Sequence, residues 1–225
     1  MKAIIFDSST LISLTMNGLL NEFKSLKKIF DGKFIITKEV KKEVVDKPLT
    51  IEKFKLEALH IQELLREKVL EMPDSLNVND SDIAKKTAEI LNIANNTFFS
   101  NNNPMKIIEI GEASCLALSK ILVQKGVGNI IAVDERTTRV LGEKPDNLKK
   151  FFQKKFHTRI DVKKENYKYF EKFRFIRSTE LMYVAYKKDL VELKEGKEVL
   201  DAMLYALRFK GCSISDEEIN EMKRL

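Results

Sequence analysis

The sequence predicts an α/β fold with a mainly parallel central sheet flanked by helices, carrying one helical and one basic insertion. Three observations lead there. Short apolar runs alternate with amphipathic stretches along the chain, which is how strands buried on both faces and their crossover helices read. Two of these runs, Ile4-Ile5-Phe6-Asp7 and Ile130-Ile131-Ala132-Val133-Asp134, end in an aspartate. The 225 residues are 44% hydrophobic and 33% charged with only 4 Pro and 8 Gly, the profile of an ordered chain able to bury a full core.

Taken in order, Lys2 to Phe6 reads as a buried strand. Leu11, Leu14, Leu19, Leu20, Phe23, Leu26 and Phe30 then recur at helical spacing, interrupted near Asn17-Gly18. Phe34-Ile35-Ile36 is a second strand, with Thr37 as N-cap of a short helix through Val40 and Val44. From Thr50, the positions Ile51, Phe54, Ala58, Ile61 and Leu65 predict a long amphipathic helix, and another starts at the Asn79-Asp80 cap and runs to about Ala94. Ser100-Asn101-Asn102-Asn103-Pro104 reads as a surface loop. Gly111-Glu112 opens a helix, Asn129 to Val133 is a strand, and Glu135 to Leu141 is helical. Phe173 to Ile176 is a fourth strand, with Ser178 capping the next helix. Val199 to Phe209 is a helix stopped at Gly211, and Ser215-Asp216-Glu217-Glu218 fits a capping box. Residues 1–47 and 107–190 thus form the sheet core of one domain spanning 1–225, with insertions at 50–100 and 142–172.

Composition narrows the function. Cys115 and Cys212 are too few for a disulfide framework, and Cys115 sits in an apolar helical pattern as a buried thiol. No apolar run nears the ~20 residues of a membrane span. The N-terminus reaches Asp7 too soon for a secretory signal, so a soluble, cytoplasmic protein without membrane partners is expected. Net charge is +6, but residues 144–177 alone carry twelve Lys or Arg against four Asp or Glu, together with eight of the 19 aromatics. Cations beside rings suit a single-stranded nucleic acid, and equally a small aromatic-cored unit with a lysine surface. His60 and His157 lie outside every motif, which argues against zinc or histidine chemistry.

Carboxylates at the carboxyl ends of parallel strands sit where such sheets gather function. Clustered there, they repel one another unless a cation such as Mg²⁺ neutralises them. Asp7 and Asp134 read equally well as caps of the helices that follow.

Asp7-Ser8-Ser9-Thr10-Leu11-Ile12 resembles the opening motif of PIN domains. Phe34-Ile35-Ile36-Thr37 through Val40 to Glu43 is similar to that family's strand, short helix and second acid, although Glu39 lies one turn earlier. Gly111-Glu112-Ala113 resembles the Gly-Glu-Ala helix start of one archaeal and bacterial branch, and Val133-Asp134-Glu135-Arg136 with Arg139 the segment of the fourth acid. Arg177-Ser178-Thr179-Glu180-Leu181 to the Ser215 helix resembles that branch's ending. Glu112 is a methylene longer than the Asp of many relatives, and Glu135 stands where a second Asp is common.

The resemblance implies a metal-dependent endoribonuclease, acting on single-stranded or structured RNA in processing or quality control. Asp7, Glu112 and Asp134 would coordinate Mg²⁺ or Mn²⁺, and Glu43 would ligate through water or orient the nucleophile. Ser9 would hydrogen-bond a ligand carboxylate or cap its helix, and Arg136 would hold a phosphate or pair with Glu135 or Glu112. Lys149, Lys150, Lys154 and Lys155 of the basic insert would grip substrate. The resemblance also brings in a homodimer, an antitoxin or an RNA-processing partner, and as alternatives a toxin or a non-catalytic module binding RNA or protein. A haloacid-dehalogenase-type phosphatase needs an aspartate two residues after Asp7, where this chain has Ser9.

Overall fold

The computed structural model describes residues 1–194 and 196–224. The elements run β1 (Lys2–Phe6), α1 (Ser8–Met16), α2 (Leu20–Ile29), β2 (Lys33–Ile35), α3 (Lys38–Lys41), α4 (Lys55–Arg66), α5 (Asp80–Asn95), β3 (Phe98–Ser100), β4 (Asn103–Pro104), α6 (Ile110–Gln124) and β5 (Gly128–Ala132). They continue with α7 (Arg136–Glu143), α8 (Pro145–Phe156), β6 (Ile160–Val162), β7 (Phe175–Ile176), α9 (Ser178–Lys187), α10 (Lys197–Phe209) and α11 (Asp216–Arg224). Four strands form a parallel sheet in the order β2-β1-β5-β7, flanked by helices. This is the predicted α/β architecture. From β1 the chain winds to one side through β2, then returns to the other side at β5. The β1/β5 pair is therefore the point where the winding reverses, where sheets of this kind gather function at the strands' carboxyl ends.

The sheet is buried because its strands are apolar on both faces. Ala3, Ile4, Ile5 and Phe6 are all buried, as a strand covered on two sides requires. Phe6, Phe23 and Phe34 meet with ring centroids 5.0 Å apart, so β1, β2 and α2 share one aromatic contact. Gly18, at φ +68°, breaks the 11–30 periodicity into α1 and α2 in a conformation a side chain would strain. Thr37 caps α3 as expected, its Oγ1 accepting from the Val40 N–H at 3.2 Å. Ser215 and Glu218 cap one another's backbone at 2.9 and 3.2 Å, the predicted capping box.

Three local expectations change. The helix expected from Thr50 starts only at Lys55, after two short 3₁₀ turns that leave Ile51 and Phe54 in solvent. The Asn-rich loop is a hairpin, in which Asn101 and Asn102 at φ 49° and 64° form the two-residue turn between β3 and β4. Asparagine tolerates this left-handed conformation better than most residues. Most consequentially, β3 pairs antiparallel with β6, with Phe99 opposite Asp161. The segments expected as two insertions thus meet in one small β4-β3-β6 sheet, backed by Phe98 against Phe152 and Tyr167. Among the described residues no helix is long and apolar enough to cross a membrane.

Removing the ring at the centre of the aromatic contact should be costly. Phe23→Ala is expected to lower unfolding free energy by about 3–5 kcal/mol in urea titrations, whereas Phe156→Ala, at an exposed ring, should cost under about 1 kcal/mol.

Candidate active site at the carboxyl rim of the sheet

Asp7 immediately follows β1, and its N–H extends the ladder to the Ala132 carbonyl at 2.9 Å. The side chain is 2% exposed. Its Oδ2 accepts from the Ser9 N–H at 3.0 Å and the Ser9 hydroxyl at 2.6 Å, which makes Asp7 the N-cap of α1. Oδ1 is equally buried and has no hydrogen-bond partner. Leaving one carboxylate oxygen unmatched away from water is unfavourable by about 1–3 kcal/mol or more. Cap and unfinished ligand, the two readings of this residue, are thus met by its two oxygens separately. Ser9 serves both strand ends, because its hydroxyl also accepts from the Asp134 N–H at 3.0 Å.

Glu43 lies on a π-helical turn, Lys42–Asp46, that continues α3. Its carboxylate rests against the backbone of Gly111, where an added Cβ would stand 2.6 Å from Oε2 and 2.7 Å from Oε1. At the glycine of the Gly-Glu-Ala motif the second acid lies against the backbone, and a Cβ there would make the Glu43 carboxylate shift. Next to it, Glu112 accepts from its own Glu109 N–H at 2.6 Å and from the Thr138 hydroxyl at 2.9 Å, closing the first turn of α6.

Asp134 is fully buried, and its oxygens accept from the Ser178 N–H and hydroxyl, both at 2.7 Å. Thr10 adds a longer contact at 3.5 Å. Ser178, expected as a cap, is instead the first residue of α9, and its polar groups are spent on Asp134. Glu135 is the N-cap of α7, accepting from the Thr138 N–H at 3.0 Å.

The electrostatics separate these acids into those that share a neighbourhood and those that do not. Burial, opposed by the Ser9 hydrogen bonds and reinforced by the charge of Glu43, pushes the Asp7 carboxyl up to about 6. Burial and the charge of Asp7, with a smaller contribution from Glu135, push Glu112 up to about 8. The Cys115 thiol behind them is raised well above its ordinary value by burial and then by Asp7, Glu43 and Glu112 together. Asp7 thus feels the charge of Glu43, and Glu112 feels Asp7 and Glu135. Asp134 shares the rim with both oxygens engaged elsewhere.

Hard oxygen donors with an unmatched buried acceptor and mutual repulsion fit a divalent cation in charge and chemistry. As the side chains stand, no three of His, Cys, Asp or Glu among the described residues converge closely enough to hold one. Glu112 is drawn away by its bonds to Glu109 and Thr138.

Of the cations expected to touch substrate, Arg136, Lys150, Lys154 and Lys155 line one open cleft of about 650 Å³ with Asn147 and Phe151. Lys149 is not among them. Arg139 is engaged elsewhere, with Glu143 at 3.5 Å and the Ser213 carbonyl at 3.2 Å. Both cysteines are free and buried, as expected of Cys115.

No protein-family model, curated protein or solved structure matches the chain.

The raised carboxyl pKa values set a pH dependence. Between about pH 4 and pH 8 the folded chain holds protons at Asp7 and Glu112 that the unfolded chain has released. Their contribution to stability is therefore full at low pH and declines as pH rises through this window. In EDTA, Asp7→Asn should remove part of this slope and stabilise the protein at pH 8 by roughly 1–3 kcal/mol. Melting curves at several pH values test this, and a slope identical to that of the unmutated protein would dissolve the coupled cluster.

Proposed function

We propose that this chain is a PIN-type endoribonuclease that uses a divalent cation, Mg²⁺ or Mn²⁺, at the carboxyl rim of its parallel sheet. The observation that carries the reading is the buried, unpartnered Oδ1 of Asp7 beside two further acids. It joins the ordered resemblance of the Asp7, Glu43, Glu112 and Asp134 segments to the PIN motifs.

In this reading Asp7, Glu43 and Glu112 hold the cation. When bound, a divalent cation polarises the phosphodiester and lowers the pKa of a water at neutral pH. Ser9 keeps Oδ2 of Asp7 occupied, so that Oδ1 faces the site. Gly111 leaves room for Glu43, and Glu112 would join the cation by giving up its bonds to Glu109 and Thr138. Asp134 acts one step back, tying the start of α9 to the end of β5 through Ser178. Processing or quality control of cellular RNA is the role this reading favours over that of a toxin, because the chain carries substantial segments beyond the sheet core.

A second reading has its own observation. Both oxygens of Asp134 and both of Glu112 already accept hydrogen bonds, which suits a PIN-like module that binds RNA or protein without cutting.

Cleavage of a labelled single-stranded RNA distinguishes the two. The nuclease should cut with Mn²⁺ and stop in EDTA, and Asp7→Asn should reduce the rate by about 10³-fold or more while the fold survives. The rate should rise with pH between about 6 and 8, because Asp7 and Glu112 must lose their protons to accept the cation. A folded protein that binds RNA but shows no metal-dependent cutting would favour the binding module.

A further inference from the structure

The four cations of the α8 cleft converge where no acid among the described residues meets them, unlike the paired lysines elsewhere on this surface. Lys24, Lys33, Lys41, Lys86 and Lys164 each pair with a carboxylate within 3.1 Å. Among the described residues, Arg136, Lys150, Lys154 and Lys155 pair with no carboxylate, and no acid lines their cleft. The adjoining cavity makes the contrast plain. It shares Arg136 and Asn147, but it is lined by Glu143 and Glu218, and its Arg139 is already paired.

The cleft follows from helical spacing. Asn147, Lys150, Phe151, Lys154 and Lys155 fall at successive three- and four-residue steps, so they form one stripe of α8. Phe151 organises it. The Arg136 guanidinium lies 5.0 Å and the Lys155 ammonium 5.8 Å from its ring, which holds two cations at the cleft without neutralising them. Beside the cleft lining, Phe156 leans on Phe152, has the Lys155 ammonium 5.4 Å from its ring centroid, and leaves 49% of its surface in solvent. Arg136 also starts the helix capped by Glu135, so the cleft begins beside the acidic rim.

We infer that this cleft seats an unpaired stretch of the RNA substrate, with backbone phosphates on Arg136, Lys150, Lys154 and Lys155 and a base stacked on Phe156. Phe151 is a positioning residue for two of the cations. Unneutralised convergent cations ask for a polyanion, and a half-exposed ring beside them asks for a base whose face is open, which a duplex does not offer. The inference rests on the nuclease reading only for naming the polymer as RNA and for placing the cleft next to the cutting site.

The test uses the full chain carrying Asp7→Asn in EDTA, so that binding is read without cutting. A labelled oligouridylate and an RNA duplex are titrated by fluorescence anisotropy at several salt concentrations. Replacing Lys150, Lys154 and Lys155 together by Gln should weaken single-strand binding about tenfold or more and reduce the salt slope by about 2. Lys149→Gln, outside the cleft, should change affinity less than about twofold. Phe156→Ala should weaken the single strand roughly fivefold and Phe151→Leu should weaken it less, with unchanged circular dichroism in each variant. Undiminished binding by the triple variant, or a duplex bound as tightly as the single strand, would overturn the proposal. If the triple variant binds normally while the unmutated chain cuts RNA, the cleft assignment fails and the nuclease stands. If the cleft binds as described and Mn²⁺ never supports cutting, the reverse holds.

Discussion

The rim of this sheet is organised by one unresolved demand, a carboxylate buried at the end of β1 with an oxygen that nothing in the chain satisfies. A strand of Ala3-Ile4-Ile5-Phe6 covered on both faces carries whatever follows it to the edge of the core. Placing a charge there is unfavourable unless hydrogen bonds or a counter-ion offset it. Ser9 satisfies one oxygen of Asp7, and the other stays buried without a partner at the edge where the winding of the sheet reverses. The neighbouring acids sharpen the demand, since Glu43 and Glu112 add charge of the same sign.

Much of the surrounding structure keeps that arrangement in place. Parallel pairing of β1 with β5 brings Asp7 and Asp134 to the same edge, and Ser9 bonds to both. Asp134, fully engaged by Ser178, joins the end of β5 to the start of α9. The Phe6, Phe23 and Phe34 contact fixes β1 against β2, and so holds the base on which the site rests. Beyond the rim, the β4-β3-β6 sheet braces α8, which carries the basic stripe, through Phe98 and Phe152.

What could be read from the sequence was what depends on near neighbours. An apolar run that stops at an aspartate signals a carboxylate at a sheet rim, and both Asp7 and Asp134 lie there. Thr37, Asn17-Gly18 and the Ser215 box are local chemistry and appear where expected. The pairing of β3 with β6 joins residues some sixty positions apart through strands of three residues, too short to leave a period, so the two segments looked separate. Lys149 adjoins Lys150 in the chain, but helix neighbours point about 100° apart, and only Lys150 reaches the cleft. Glu135 looked like a substitute for a second aspartate, but its carboxylate caps α7. The use of Glu112 and Asp134 as acceptors for Thr138 and Ser178 depends on side-chain contacts across the fold that no spacing announces. The value of Gly111 shows the same limit, since its reason is the Glu43 carboxylate some seventy residues earlier.

The account turns on whether a cation completes Asp7. Calorimetric titration of Mn²⁺ into the metal-free protein near pH 6.5, repeated in buffers of different ionisation enthalpy, measures both binding and the protons released. With Asp7 raised to about 6 and Glu112 to about 8, binding should release about one proton or more per ion, and Asp7→Asn should abolish both signals. No binding by the unmutated chain, or undiminished binding and proton release with Asp7→Asn, would contradict the account.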